Sequence, residues 1–255
     1  MKHGARYESL RGKRVFITGG GSGIGEEIVS ALAQQGALVA FVDIAVDASV
    51  ALCAGLAEKG YPAPLFRKCD IRDIDALKRV MAELAAELGD VDVLINNAAN
   101  DQRHATADVT PDYWDDRIAI NQRPMFFTCQ AVFNGMQRNG GGSIINISSI
   151  SWHIKGSGYP VYTTAKAAVL GLTRGLAREY GAAGIRVNTV TPGWVMTQRQ
   201  LDHWVDDSAR TEINRSQCLP GLLMPEHIAA MVLFLAADDS AMCTAQEFIV
   251  DAGWV

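Results

Sequence analysis

A doubly wound parallel α/β sheet of about seven strands, with helices on both faces, is the fold this sequence predicts. Two observations carry that prediction: strand-like apolar runs alternate with helical patterns from end to end, and a glycine-rich loop joins the first strand to the first helix. Apolar runs fall at 14–18, 38–43, 91–96, 143–148, 186–190 and 247–251, with a weaker one at 64–68. Helical periodicity falls at 22–35, 47–59, 74–88, 112–138, 161–180 and 225–236. No Pro/Gly/Ser-rich linker or internal repeat interrupts the alternation, so residues 1–255 read as one domain. A chain of 255 residues that is 49% hydrophobic can bury a large core. The stretch 198–223 has no strand signal and a mixed composition. Ligands in open α/β sheets bind beyond the carboxyl ends of the strands, so this stretch is the expected substrate lid.

The first strand, Arg14 to Ile17, runs into Thr18-Gly19-Gly20-Gly21-Ser22-Gly23-Ile24-Gly25, and an apolar-periodic helix follows. Strand, glycine loop and helix form the setting of a dinucleotide site. Glycines let backbone approach a pyrophosphate without Cβ clashes, and the helix N-terminus offers free N–H groups. The second strand, Leu38 to Val42, ends in Asp43. A carboxylate there accepts hydrogen bonds from adenine ribose hydroxyls and repels a 2′-phosphate. No Lys or Arg lies in the loop or in Ile44-Ala45-Val46, so the expected cofactor is NAD rather than NADP.

Further along, Tyr162 and Lys166 stand four residues apart, downstream of Ser149. Four residues is about one helical turn, so the two side chains share a face. A nearby ammonium favours the phenolate and lowers a phenol's pKa, which equips Tyr162 to exchange a proton during hydride chemistry.

The Thr-Gly-x-x-x-Gly-Ile-Gly loop resembles that of the short-chain dehydrogenase/reductase family, and the resemblance runs from Leu10 to Val255. Asp70 in Cys69-Asp70-Ile71, Asn97 in Asn96-Asn97-Ala98-Ala99, Asn121, Ser149 in Asn146-Ile147-Ser148-Ser149, and Pro192-Gly193-Trp194-Val195-Met196-Thr197 match the family's ordered motifs. Ala99 stands where the family has glycine. The resemblance implies a Rossmann-like fold with catalytic residues Asn121, Ser149, Tyr162 and Lys166. Ser149 would bond the reacting oxygen, and Tyr162 would exchange the proton. Lys166 would stabilise the phenolate and hold the nicotinamide ribose, and Asn121 would hold a water joining Lys166 to solvent. It also implies cofactor contacts from Gly19, Ser22, Gly23, Ile24, Gly25, Asp43, Asp70, Ile71, Asn97 and Ala98, and from Pro192, Gly193, Val195 and Thr197 beside Tyr162 and Lys166. A homotetramer packed through the 112–138 and 161–180 helices is expected on the same ground.

Composition narrows the partners. The net charge of -5 and the lack of a basic run weigh against nucleic acid or an anionic membrane. No window approaches a membrane span, and the polar start Met1-Lys2-His3-Gly4-Ala5-Arg6-Tyr7 lacks a signal-peptide apolar region. Five scattered cysteines without a CxxC pair read as free thiols in a reducing cytoplasm. The histidines have no metal-ligand spacing, so no metal is expected.

Local segments bear on the substrate. Asn100 and Asp101 follow the fourth strand, Trp152 and His153 follow Ser149, and Trp194 sits in the Pro-Gly segment. With Ser149 and Tyr162 they are the expected substrate residues. Trp beside Asn, Asp and His suits a polyhydroxylated ligand, whose C–H faces pack on rings and whose hydroxyls need polar partners. Asn-Asp-x-Arg-His, Ser-Ile-Ser-Trp, Arg-Gln after the Pro-Gly segment, and Asp-Ala-Gly-Trp near the end resemble the bacterial sugar 1-dehydrogenases of the D-xylose and D-galactose type. That branch implies oxidation of an aldose at its anomeric hydroxyl (galactose, xylose or arabinose type) to the aldonolactone with NAD. The alternatives are a polyol or hydroxy-acid dehydrogenase of the same family and, from another class, a catalytically silent NAD-binding sensor. A reductase of acyl-carrier-protein thioesters would want a basic docking patch and usually NADPH, which Asp43 and the acidic balance oppose.

Overall fold

Seven parallel strands form a single sheet in the order β3-β2-β1-β4-β5-β6-β7 in the computed structural model, which describes residues 4–255. Met1, Lys2 and His3 of the polar start lie outside the described residues. The strands are β1 (Arg14–Thr18), β2 (Leu38–Asp43), β3 (Leu65–Lys68), β4 (Val93–Asn96), β5 (Gly142–Ile147), β6 (Ile185–Pro192) and β7 (Glu247–Val250). The chain winds outward one way from β1 to β3 and the other way from β4 to β7. Its crevice therefore opens beyond the carboxyl ends of β1 and β4.

Both faces of the sheet are covered, which is why the central strands read as continuous apolar runs. On one face Ile17 and Ile95 pack with Ile28 and Leu32 of α1 (Gly23–Gln34) and Val232 of α9 (Pro225–Ala236). On the other, Phe16 and Leu94 pack with Leu77 of α3 (Ile74–Leu88), Met136 of α5 (Arg123–Arg138) and Leu176 of α6 (Pro160–Tyr180). Beside β2 runs α2 (Val46–Glu58), which buries Leu56. No helix among the described residues is long and apolar enough to cross a membrane.

A polar row crosses this apolar sheet just below the site. The register sets Asn96 against Asn146 and Asn146 against Thr189. Thr128 Oγ1 donates to Asn96 Oδ1 (2.6 Å), and Asn96 Nδ2 donates to Asn146 Oδ1 (2.9 Å). Asn146 Nδ2 then donates to Thr173 Oγ1 (3.0 Å). Each buried amide is thereby partnered, so the row ties β4, β5 and β6 to α5 and α6 at fixed spacing.

Two elements depart from the sequence expectation. The single helix expected over 112–138 is two, α4 (Pro111–Asn121) and α5, separated at Gln122 with φ -139° and ψ -53°. Pro124 explains the break: it has no N–H for the carbonyl of Ile120, and it sits in the first turn of α5, where a proline is tolerated. The 198–223 stretch carries α7 (Gln198–His203) and α8 (Asp207–Ser216), capped by Thr197 and Asp206.

Candidate active site

Glycine chemistry shapes the first part of the site. Gly19 has φ +71°, and a Cβ on it would lie 2.8 Å from Ala98 Cα. A Cβ on Gly25 would lie 1.8 Å from the Gly19 carbonyl oxygen, so only glycine lets α1 start this close to the loop. Ser22 at the N-cap makes no side-chain capping bond, which leaves first-turn N–H groups for an anion. Thr197 Cγ2 would be 3.2 Å from a Cβ on Gly23, so the Pro192–Thr197 segment comes down onto the loop. Asn97 Nδ2 donates to the carbonyls of Gly19 (2.8 Å) and Thr18 (3.2 Å), holding β4 to the loop.

At the end of β2, Asp43 Oδ2 accepts from Gly21 N (2.8 Å) and Oδ1 from Ala45 N (2.9 Å). The carboxylate thus orders the loop and keeps further lone pairs for ribose hydroxyls. This cradle fits a dinucleotide: a backbone nest, an anion-ready helix end and an acceptor at the ribose position. Asp70 lies on the same side of the sheet, but its carboxylate is engaged by Arg72 Nε (3.0 Å), which holds its pKa below the usual range. Ile71 packs against the core behind it. Ala99 keeps ordinary negative φ and lines the cavity, so the methyl replacing the family's glycine meets open space.

Beyond the strand ends lies a cavity of about 500 Å³ whose floor is Ser149, Tyr162 and Lys166. Ser149 lies two residues past β5, and its Oγ accepts from Ser151 N (3.1 Å) and bonds the Tyr162 hydroxyl. Lys166 is 1% exposed, and its Nζ donates to the Ile147 carbonyl (2.8 Å) and lies 5.7 Å from the Tyr162 ring centroid. Ser148 donates to the Lys166 carbonyl (2.8 Å) and so braces α6.

The electrostatics differ from the simple expectation that the ammonium depresses the phenol. Burial pushes the Tyr162 phenol up, the Asp101 carboxylate adds to the rise, and the Ser149 hydrogen bond and the Arg103 charge only partly oppose it. Burial also brings Lys166 down to about 7, against a smaller opposing pull from Asp101. In the protein without cofactor, desolvation therefore dominates both groups.

Asn121 is fully buried at the end of α4, where the Pro124 break leaves it facing the loop after β4. Its Oδ1 accepts from Asn100 N (2.8 Å) and its Nδ2 donates to the Asn100 carbonyl (3.1 Å). The carboxamide shapes that loop with one of its two donor hydrogens and one lone pair.

Of the expected substrate residues, Asp101, Ser149, Tyr162 and Trp194 line the cavity. Asn100, Trp152 and His153 do not. Asn100 Oδ1 accepts from Gln102 N (3.0 Å) and Arg199 Nη2 (3.4 Å), a loop-bracing role. The short turn at Ile150–Trp152 carries the next two residues round behind the serine. Trp152 and His153 stack with ring centroids 3.6 Å apart, and His153 Nε2 meets Glu247 Oε1 (3.1 Å) on β7. The wall instead gains Arg103, Tyr159, Gln200 and Trp254. The C-terminal Asp-Ala-Gly-Trp signal pointed to Trp254: buried Asp251 accepts from the N–H groups of Gly253, Trp254 and Val255 and sets that ring 6.4 Å from Trp194. Nothing in periodicity pointed to Arg103.

Comparison with known proteins adds four findings. A family model described as Enoyl-(Acyl carrier protein) reductase matches residues 19–255. The D-xylose 1-dehydrogenase of Caulobacter vibrioides is 52% identical over 250 residues, covering 98% of each chain. A probable galactose dehydrogenase, GalD, of Rhizobium meliloti is 45% identical, covering 98% of this chain and 97% of the relative. Among solved structures, the 3-oxoacyl-[acyl-carrier protein] reductase of Brucella melitensis superposes with a TM-score of 0.90 at 27% identity, covering 98% of this chain and 94% of that one.

Proposed function

The chain belongs to the short-chain dehydrogenase/reductase family, and from that membership we propose that it oxidises the anomeric hydroxyl of an aldopyranose to the aldonolactone with NAD. It is a nicotinamide-dependent oxidoreductase acting on CH–OH groups. The observation that carries the sugar reading is the wall around the Ser149–Tyr162–Lys166 floor. The rings of Trp194, Trp254 and Tyr159 stand among Asp101, Arg103 and Gln200. Sugar C–H faces pack on such rings, and hydroxyls pair with such polar groups.

In this reading Ser149 Oγ holds the anomeric oxygen and Tyr162 accepts its proton. Lys166 fixes the face of α6 that presents the phenol and favours the phenolate when charged. When bound, the dinucleotide supplies the hydride acceptor, and its oxidised ring carries the positive charge that favours a phenolate. Asn121 and Asn97 hold the loop after β4 over the floor. The catalytic roles of these residues, the NAD preference, the homotetramer and the lid over 198–223 are parts of one proposal. Asp43 supports NAD: a 2′-phosphate would sit against a carboxylate with no Lys or Arg in residues 44–46.

The test is NADH formation by the purified protein across aldoses, polyols and hydroxy acids, with NADP in parallel and lactone assayed as product. Turnover of one or a few aldopyranoses is expected. Turnover of a polyol or hydroxy acid alone would replace the sugar reading and leave the family chemistry standing. For the cofactor, Asp43→Ala is expected to weaken NAD binding and narrow the NAD-to-NADP ratio together, because the same carboxylate orders Gly21. An unchanged ratio would refute the cofactor argument. Light scattering tests the tetramer, and a monomer refutes it.

A further inference from the structure

Arg103 is a guanidinium that meets no carboxylate among the described residues, in a site built around it. Its carbon lies 4.3 Å from the Tyr159 ring centroid and 4.9 Å from that of Trp204, so two aromatic faces clamp it. Its Nε is buried and has no hydrogen-bond partner. Among the described residues Arg14, Arg72, Arg117, Arg138 and Arg199 each meet a carboxylate, whereas Arg103 meets none. An unsatisfied buried donor on a charged group is costly, and such a group asks for a ligand.

The surrounding backbone holds the fork in place. His104 N donates to the Gly158 carbonyl (2.8 Å) and Val161 N donates to His104 Nε2 (3.4 Å), so the loop bearing Arg103 is tied on both sides of Tyr159. A Cβ at Gly156 would lie 2.0 Å from the Tyr159 hydroxyl, so Tyr159 can take this place only beside glycine. Arg103 also lines the cavity that Ser149 and Tyr162 floor.

Building on the aldose reading, we propose that Arg103 determines specificity by donating two hydrogen bonds to a vicinal pair of substrate hydroxyl oxygens. A planar fork matches two adjacent oxygens as it matches a carboxylate. Asp101 and Glu212 line the same cavity. Their carboxylates repel an anion but accept the hydroxyl protons that Arg103 cannot accept. Donor and acceptor together suit the amphoteric hydroxyls of a neutral sugar.

The experiment measures kcat/KM for the preferred aldose and each of its monodeoxy analogues, in wild type and in Arg103→Lys. Lysine keeps the positive charge near Tyr162 and removes the fork. In wild type, loss of either of two adjacent hydroxyls is expected to lower kcat/KM about tenfold or more. Arg103→Lys is expected to erase those two penalties and keep the others, with NAD affinity unchanged. Unchanged penalties in the variant would overturn the proposal, as would a wild type with no adjacent pair of penalties, which needs no variant to fold. A wild-type preference for the corresponding uronic acid, lost in Arg103→Lys, would overturn it in favour of a carboxylate. Each of these leaves aldose oxidation standing, whereas absence of any aldose turnover by wild type would overturn both readings.

Discussion

Tyr162 carries two opposed demands. It must lie out of water beside Ser149 for its proton to move along a defined path, yet that burial disfavours the phenolate it needs. The structure resolves the balance toward the neutral phenol when no cofactor is bound, with Asp101 adding to the rise. Lys166, brought down to about 7, cannot hold a full charge there at alkaline pH. The base form thus depends on charge arriving with the oxidised dinucleotide. Tyr162→Phe is expected to abolish turnover and leave NAD affinity nearly intact, since the ring stays and only the hydroxyl is lost. Steady-state rates beside NAD titration by tryptophan fluorescence check it. Parallel loss of NAD binding would move Tyr162 from proton transfer to cofactor binding.

At the scale of elements, α7 acts as a clasp. Gln200 sits in its middle, accepts from Trp194 Nε1 (2.9 Å) through Oε1 and donates to Asp101 Oδ2 (2.7 Å) through Nε2. Arg199 adds a contact to Asp101 Oδ1 (3.3 Å). One helical turn therefore joins the segment after β6 to the loop after β4, across the cavity mouth. Gln200→Ala removes both bonds, leaving the partly buried indole N–H without a partner and Asp101 with only the Arg199 contact, a loss of roughly 1–3 kcal/mol in substrate-site order. The expected result is a KM raised about tenfold or more with kcat reduced less, and a stopped-flow NAD on-rate close to wild type. An unchanged KM would show that α7 does not close over substrate. The sequence could not announce this clasp. Gln198–His203 contains a single apolar residue, Leu201, and the stripe of α8 is only the pair Ala209 and Ile213, too short to stand out in a mixed stretch. The strands and the glycine loop were legible because period and backbone geometry leave few alternatives there. Ser149, Tyr162 and Lys166 were legible because spacing on β5 and one helical face fixes their meeting. Trp152 and His153 were misplaced because nearness to Ser149 in sequence says nothing about a turn that carries them toward Glu247. The break at Gln122 had its signal in Pro124, which apolar periodicity outweighed in the sequence reading.

For the whole molecule, the buried lysine sets how stability without cofactor responds to pH. Lys166 has a folded pKa near 7 against an ordinary 10.5. Below pH 7 it is charged in both states, and the full cost of burying that charge weighs on the fold. Between 7 and 10.5 the unfolded chain binds the extra proton, so stability rises with pH, by at most about 1.4 kcal/mol per unit. Cys129 runs the other way: burial pushes its thiol from 9.0 up to about 12, so above pH 9 the unfolded chain loses that proton first and stability falls. Tyr180, pushed from 10.0 up to about 12, adds to the fall above pH 10. The rise and the fall offset each other between pH 9 and 10, and that is where urea resistance of the protein without cofactor is expected to peak. Lys166→Met keeps a buried chain of similar length and removes the charge, so its urea midpoint is expected to stay nearly level from pH 7 to 9 while the wild-type midpoint climbs. Parallel curves for the two proteins would mean that Lys166 keeps its proton in the folded state, with the ammonium paid for by the Ile147 carbonyl and Asp101. The phenol of Tyr162 would then have a permanent cation beside it, and the dependence of its base form on bound oxidised dinucleotide would be lost.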